Sequence, residues 1–146
     1  MISLRDALPE DAEAMASLEA RAASHPWRAN QYLESMQAGH LSLLLCREGL
    51  HCGQAIAMLV PDEAELLNIA IAPDCQGQGL GRHLLEAMLS RLRAQQIRRV
   101  FLEVRASNHI AQQLYTRCGF VECGLRKHYY PCAEGREHAI LMEAAL

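Results

Sequence analysis

The sequence predicts a mixed α/β fold, with a mostly antiparallel sheet of about seven strands and about four flanking helices in the order β-α-α-β-β-β-α-β-α-β-β. Three observations carry this. Three strand-like runs succeed one another across short turns, which favours antiparallel pairing. A glycine-rich segment, Asp74-Cys75-Gln76-Gly77-Gln78-Gly79-Leu80-Gly81-Arg82, then separates the third run from the clearest helical stripe in the chain. After that stripe, strand and helix alternate once before two closing strands, which differs from the repeated βαβ halves of a nucleotide-binding sheet.

Each element has a local cause. Ile2 and Leu4 alternate with polar residues as a first strand. From Pro9, tolerated in a first helical turn, Ala12, Met15, Leu18 and Ala22 recur at helical spacing, predicting a helix to about Ala23. His25-Pro26-Trp27 interrupts it, because proline disfavours helical geometry in the residue before it. A second helix over 29–38, with Leu33 and Met36 on one side, stops at Gly39. Strands are expected at 41–47, 52–60 and 64–71, with turns at 48–51 and 61–63. Leu80, Leu84, Leu85, Met88, Leu89 and Leu92 define a helix to about Gln96, and 100–105 is rich in β-formers. Ser107 is a suitable N-cap for a helix ending at Gly119. The strands 120–125 and 138–143 close the chain, joined by a loop at 127–137.

Composition narrows the function. With 146 residues, 51% hydrophobic and 21% charged, the chain is expected to form one domain over 1–146. Its apolar runs are strand-sized, so no membrane span is expected. The N-terminus lacks the pattern of a secretion signal, which makes the cytoplasm the expected location. Six cysteines without a C-x-x-C pair, and seven histidines without metal-site spacing, give no metal ligands. Residues 1–81 hold 4 Lys+Arg against 11 Asp+Glu, whereas 82–146 hold 10 against 6. A basic half beside the glycine loop suits an anionic ligand and an acidic half a basic substrate, although solvated faces give the same count. No basic stripe interleaved with aromatics points to direct nucleic-acid binding.

The glycine segment has the makings of a phosphate cradle, since glycine lets the main chain approach a ligand and the following helix supplies unpaired N–H groups. An ordinary strand-to-helix turn has the same composition. A Walker loop is excluded because Arg82 and His83 follow Gly81, and the glycine spacing does not match a dinucleotide fingerprint. Two further residues carry possible chemistry. Glu103, among Val100, Phe101, Leu102 and Val104, is either a strand carboxylate paired with arginine or a base whose pKa burial raises. Tyr115, two helical turns after Asn108, is either core packing or a proton donor.

Gln76-x-x-Gly79-x-Gly81 after Asn68-Ile69-Ala70-Ile71 resembles the acetyl-CoA loop of the GNAT N-acetyltransferases. The resemblance extends through Leu102–Asn108, Ala111, Tyr115, Gly119-Phe120, Tyr129-Tyr130-Pro131, Gly135-Arg136-Glu137 and His25-Pro26-Trp27, nearly the whole chain. These segments are similar to the branch that acetylates the N-terminal alanine of small-subunit ribosomal protein number eighteen. The resemblance implies the GNAT fold, acetyl-CoA as donor without a metal, and Glu103 and Tyr115 as proton acceptor and donor. It implies pantetheine contacts from the backbone of Ile69, Ala70 and Ile71. Pyrophosphate contacts would come from Gln76, Gly77, Gln78, Gly79, Leu80, Gly81 and Arg82, with Asn108 also touching acetyl-CoA. Relatives often carry a long side chain where this chain has Gly77, which leaves the backbone cradle but no side-chain help there. Trp27, Glu34, the Asp62-Glu63 turn, Tyr130 and Pro131 are the acceptor-side candidates. The expected partners are acetyl-CoA and the N-terminal peptide of that ribosomal protein, with the enzyme a monomer. Another amine acceptor, or a non-catalytic acyl-CoA-binding module, are the alternative readings.

Overall fold

The computed structural model describes residues 1–146. Strand β1 (Ile2–Asp6) leads through a 3₁₀ turn at Pro9–Asp11 into α1 (Ala12–Ala22) and α2 (Ala29–Gln37). Strands β2 (Leu41–Arg47), β3 (Leu50–Val60) and β4 (Glu63–Ile71) precede α3 (Leu80–Ala94). The chain closes with β5 (Arg99–Arg105), α4 (His109–Arg117), β6 (Val121–Cys132) and β7 (Gly135–Ala145). One 7-stranded sheet has the order β1-β2-β3-β4-β5-β7-β6. Every neighbouring pair is antiparallel except β4 with β5. No helix is long and apolar enough to cross a membrane.

Local chemistry explains where boundaries differ from expectation. The β2–β3 turn contracts to Glu48-Gly49, both at positive φ (50° and 78°), a two-residue hairpin whose twist matches the strands. The helix expected from Ser107 instead begins after Asn108, whose Oδ1 accepts the Ala111 N–H at 3.2 Å and so caps α4. The loop expected at 127–137 is the end of a hairpin. Arg105 donates to the Pro131 carbonyl at 2.9 Å and Arg136 to the Tyr129 carbonyl at 3.0 Å, tying down a polar segment whose composition reads as a loop. A register shift between Arg126 and Tyr130 interrupts the β6 ladder.

Two cores flank the sheet. On one face, Leu84, Leu85, Met88, Leu89 and Leu92 of α3 pack on Leu43, Leu45, Ala55, Ala57, Leu66, Val100, Leu102 and Val104. On the other, Ala12, Met15 and Tyr32 of α1 and α2 pack on Leu44 and Ile56. The alternation along β2 and β3 assigns the faces, because successive strand side chains point opposite ways. The buried side of α2 is therefore Tyr32 and Ser35, while Leu33 and Met36, expected to lead it, are only half-buried. Leu84 is 0% exposed, so Leu84→Ala is expected to cost about 3 kcal/mol, read as an earlier midpoint in chemical denaturation.

Candidate active site

The site is built where the sheet opens. Strands β4 and β5 pair only at Glu63–Arg99, Ala64–Val100 and Glu65–Phe101, and then separate. Just past the last pair, β4 carries a bulge, with Leu67 as the extra residue between the Leu66–Ala57 and Asn68–Ile56 pairs. The Ala72 N–H donates to the Cys52 carbonyl at 2.9 Å on the β3 side. Backbone groups alternate along a strand, so Ala70 also addresses β3, while Ile69 and Ile71 present theirs to the gap. Of the three backbone positions expected to meet a donor, two therefore face the opening.

The glycine loop turns at the mouth of this gap. Gly77 and Gly79 have φ of 76° and 78°, conformations that a side chain would strain, and Gly79 is the N-cap of α3. The first intrahelical bond runs from the His83 N–H to the Gly79 carbonyl at 3.1 Å, so the N–H groups of Leu80, Gly81 and Arg82 have no helical acceptor. They lie at the positive end of a 15-residue helix, where such groups can receive an anion. Side chains contribute less. Gln76 donates to the Ile71 carbonyl at 3.0 Å, Gln78 is bonded by Arg47, and the Leu80 side chain lies in the core. Arg82 pairs with Glu86 at 2.8 Å on the surface, and Asn108 is occupied as the α4 cap.

Two candidate groups sit on opposite faces of the sheet. Tyr115 belongs to the α3-side core, with its ring 5.8 Å from that of Phe120. Its hydroxyl makes no hydrogen bond within the chain, and no buried side-chain oxygen lacks a partner, so that hydroxyl reaches accessible space. Burial, and then nearby Tyr130, push its pKa well up, keeping the phenol protonated. Glu103 alternates with the core residues Leu102 and Val104 and so lies on the other face. It is not an isolated buried carboxylate: its side chain is 21% exposed and ion-paired with Arg126 at 3.2 Å.

Glu65, which no sequence motif singles out, faces the same side as Glu103, since it registers with Phe101 two residues before it. Burial, and then the Glu103 charge, push the Glu65 carboxyl up, partly countered by Arg126. Its only sequence signal is an acid inside an apolar strand. Tyr130 is half-buried beside these acids, with burial and Glu103 raising its pKa and Arg105 lying 4.4 Å over its ring. Trp27 packs against Tyr32 at 5.2 Å on the α1–α2 wall, whereas Glu34 is exposed on the outer side of α2. Glu63 instead pairs with Arg99 at 3.5 Å at the closed end of the split. This face thus carries Trp27 on the α1–α2 side and the two carboxyls Glu65 and Glu103 with Tyr130 of the β6–β7 hairpin near them.

Comparison with known proteins gives the family and the fold. The Acetyltransferase (GNAT) family profile covers residues 4–120. The [ribosomal protein bS18]-alanine N-acetyltransferase of Escherichia coli strain K12 is 42% identical over 132 residues, spanning 90% of this chain and 89% of that protein. The crystal structure of the ribosomal-protein-S18-alanine N-acetyltransferase from Escherichia coli superposes with a TM-score of 0.94 at 39% identity, covering 99% of this chain and 94% of the other. The Salmonella typhimurium chain yncA, solved with its cofactor acetyl-CoA, shares only 17% identity at a TM-score of 0.83 over 99% and 94% of the two chains, a likeness of fold alone. With the split sheet, the loop and the family profile in agreement, this chain belongs to the GNAT family of acetyltransferases.

Proposed function

We propose that residues 1–146 act as one catalytic domain, working as a single chain in the cytoplasm, that acetylates the α-amino group of the N-terminal alanine of ribosomal protein bS18. The observation that supports it is the opening between β4 and β5, with the unpaired N–H groups of α3 following it in the chain and Glu103 and Tyr115 on opposite faces of the sheet. The acceptor is favoured by the 42% identity to the Escherichia coli enzyme over nearly the full length of both chains. GNAT acetyltransferases take the acetyl group from acetyl-CoA, which supplies an activated thioester.

The chain's own groups then have separate tasks. The N–H groups of Leu80, Gly81 and Arg82 hold the pyrophosphate, with Gly77 and Gly79 keeping side chains out of its way. Backbone groups of Ile69 and Ile71 pair with the pantetheine arm in place of the missing strand neighbour. An α-ammonium group has a pKa near 8, so a carboxylate of Glu103 or Glu65, directly or through one water, frees enough neutral amine at neutral pH. Tyr115, protonated and with its hydroxyl free, supplies a proton to the departing thiolate.

The test incubates the protein with acetyl-CoA and a panel of peptides with different N-termini and reads intact masses. A single added acetyl group on the alanine-initiated bS18 peptide is expected. Acetylation of a lysine side chain or a polyamine with that peptide untouched would remove the assignment.

A further inference from the structure

A buried carboxyl on the α1–α2 side of the sheet has no use in the reaction just described. Glu19 of α1 is 4% exposed, and its Oε1 accepts hydrogen bonds from the Tyr32 hydroxyl and from Asn68 Nδ2, the latter at 2.8 Å. Gln54 Nε2 and Asn68 Nδ2 donate to the Tyr32 oxygen at 2.8 Å and 3.2 Å. With both its lone pairs taken, Tyr32 can place its one proton only on Glu19, so the carboxyl is held as a hydrogen-bond acceptor. His51, 2.8 Å from Gln54 Oε1, completes the cluster by orienting that amide.

Two facts make this more than a structural knot. Every donor to Glu19 is neutral, and none of the chain's ion pairs includes it. Buried carboxylates are ordinarily paired with a cation, because neutral donors alone leave much of the desolvation cost uncompensated. Its second oxygen, Oε2, takes no donor from the chain, and since no buried side-chain oxygen lacks a partner, Oε2 must reach accessible space. The cluster adjoins the split in the sheet through Asn68, which bonds Glu19, follows the β4 bulge directly and precedes Ile69, whose backbone faces the gap. The same cluster stands behind Trp27 on the α1–α2 wall.

We propose that Glu19 is an acceptor-binding residue whose free carboxylate oxygen receives a cationic nitrogen of the acceptor chain, held at the gap between the α1–α2 wall and β4. This rests on the reading that the acceptor is a polypeptide N-terminus. The nitrogen comes from the α-ammonium group or from a basic side chain close behind it, and both supply the positive charge that the chain itself withholds. Tyr32, Gln54 and Asn68 act through Glu19 as positioning residues.

The test is Glu19→Gln, which keeps an oxygen to accept from Tyr32 and Asn68 but removes the charge. The expected result is a rise of about 30-fold in KM for an Ala-Arg-initiated peptide. The kcat and the KM for acetyl-CoA should stay within about threefold, the spread expected when ground-state binding alone is lost. A purely structural role would lower thermal stability without this split. Comparing free-amine, Nα-acetylated and Ala-Gln-initiated peptides in calorimetry tells which nitrogen is bound, by which neutralisation abolishes the difference between wild type and variant. If the wild type acetylates no peptide, the proposed function fails, and peptide binding decides the Glu19 site alone: equal dissociation constants for wild type and E19Q overturn it. Should E19Q not fold, the carboxyl ¹³C resonance of Glu19 in the wild type gives the answer, and a resonance unmoved by saturating free-amine peptide overturns the site.

Discussion

Tyr115→Phe is expected to lower kcat by about 10²-fold or more while leaving the dissociation constant for acetyl-CoA within about twofold. Phenylalanine keeps the ring against Phe120 and the packing of a residue that is 7% exposed, so the fold should survive the change. Only a hydroxyl is lost, and that hydroxyl bonds to nothing else in the chain. Its burial raises the pKa, so the phenol is in its donating form throughout the neutral range. Single-turnover rates and direct acetyl-CoA titration separate chemistry from binding. A variant as fast as the wild type would strip Tyr115 of its assigned step.

The second large effect concerns the two carboxylates. Glu103→Gln is expected to lower kcat/KM by about 10²-fold at neutral pH, and Glu65→Gln by a smaller factor, if Glu103 is the group that takes the amine proton. The pair also makes a signed electrostatic prediction. The Glu103 charge helps to hold the Glu65 carboxyl above its ordinary pKa, and Arg126 opposes it. In Glu103→Gln the Glu65 midpoint should therefore fall, and in Arg126→Gln it should rise, as followed by carboxyl ¹³C titration. If Glu65→Gln is the slower enzyme, the roles exchange and Glu65 is the base. Full activity in both variants would leave the reaction without a carboxylate base.

Much of this frame is legible in the amino-acid order alone. The leucine stripe from Leu80 to Leu92 and the glycines ahead of it depend on local spacing, and local spacing is what a sequence displays. The hairpin expected as a loop depends instead on Arg105 reaching the Pro131 carbonyl across 26 residues, which no periodicity records. Glu65 escapes for a related reason: its neighbour Glu103 belongs to another strand, joined to it by only three parallel residue pairs. The Glu19 cluster draws on α1, α2, β3 and β4 together, and Tyr32 gives no sign in the sequence that its hydroxyl is tied to Gln54 and Asn68. Asn108 caps α4 through its Oδ1, a use that its residue type favours as much as the donor contact expected of it, so its type alone does not tell the two apart.

The parting of β4 from β5 also makes the sheet two half-sheets stitched at one end. Past Glu65, the gap-facing edge of β4 has no strand to lie against, and a pantetheine arm supplying amides there would complete a ladder that the polypeptide leaves open. Binding of the donor is then, in part, the last step of folding. The thermal stability of the enzyme becomes a readout of its donor supply, gaining about 2.7 kcal/mol when acetyl-CoA stands at a hundred times its dissociation constant.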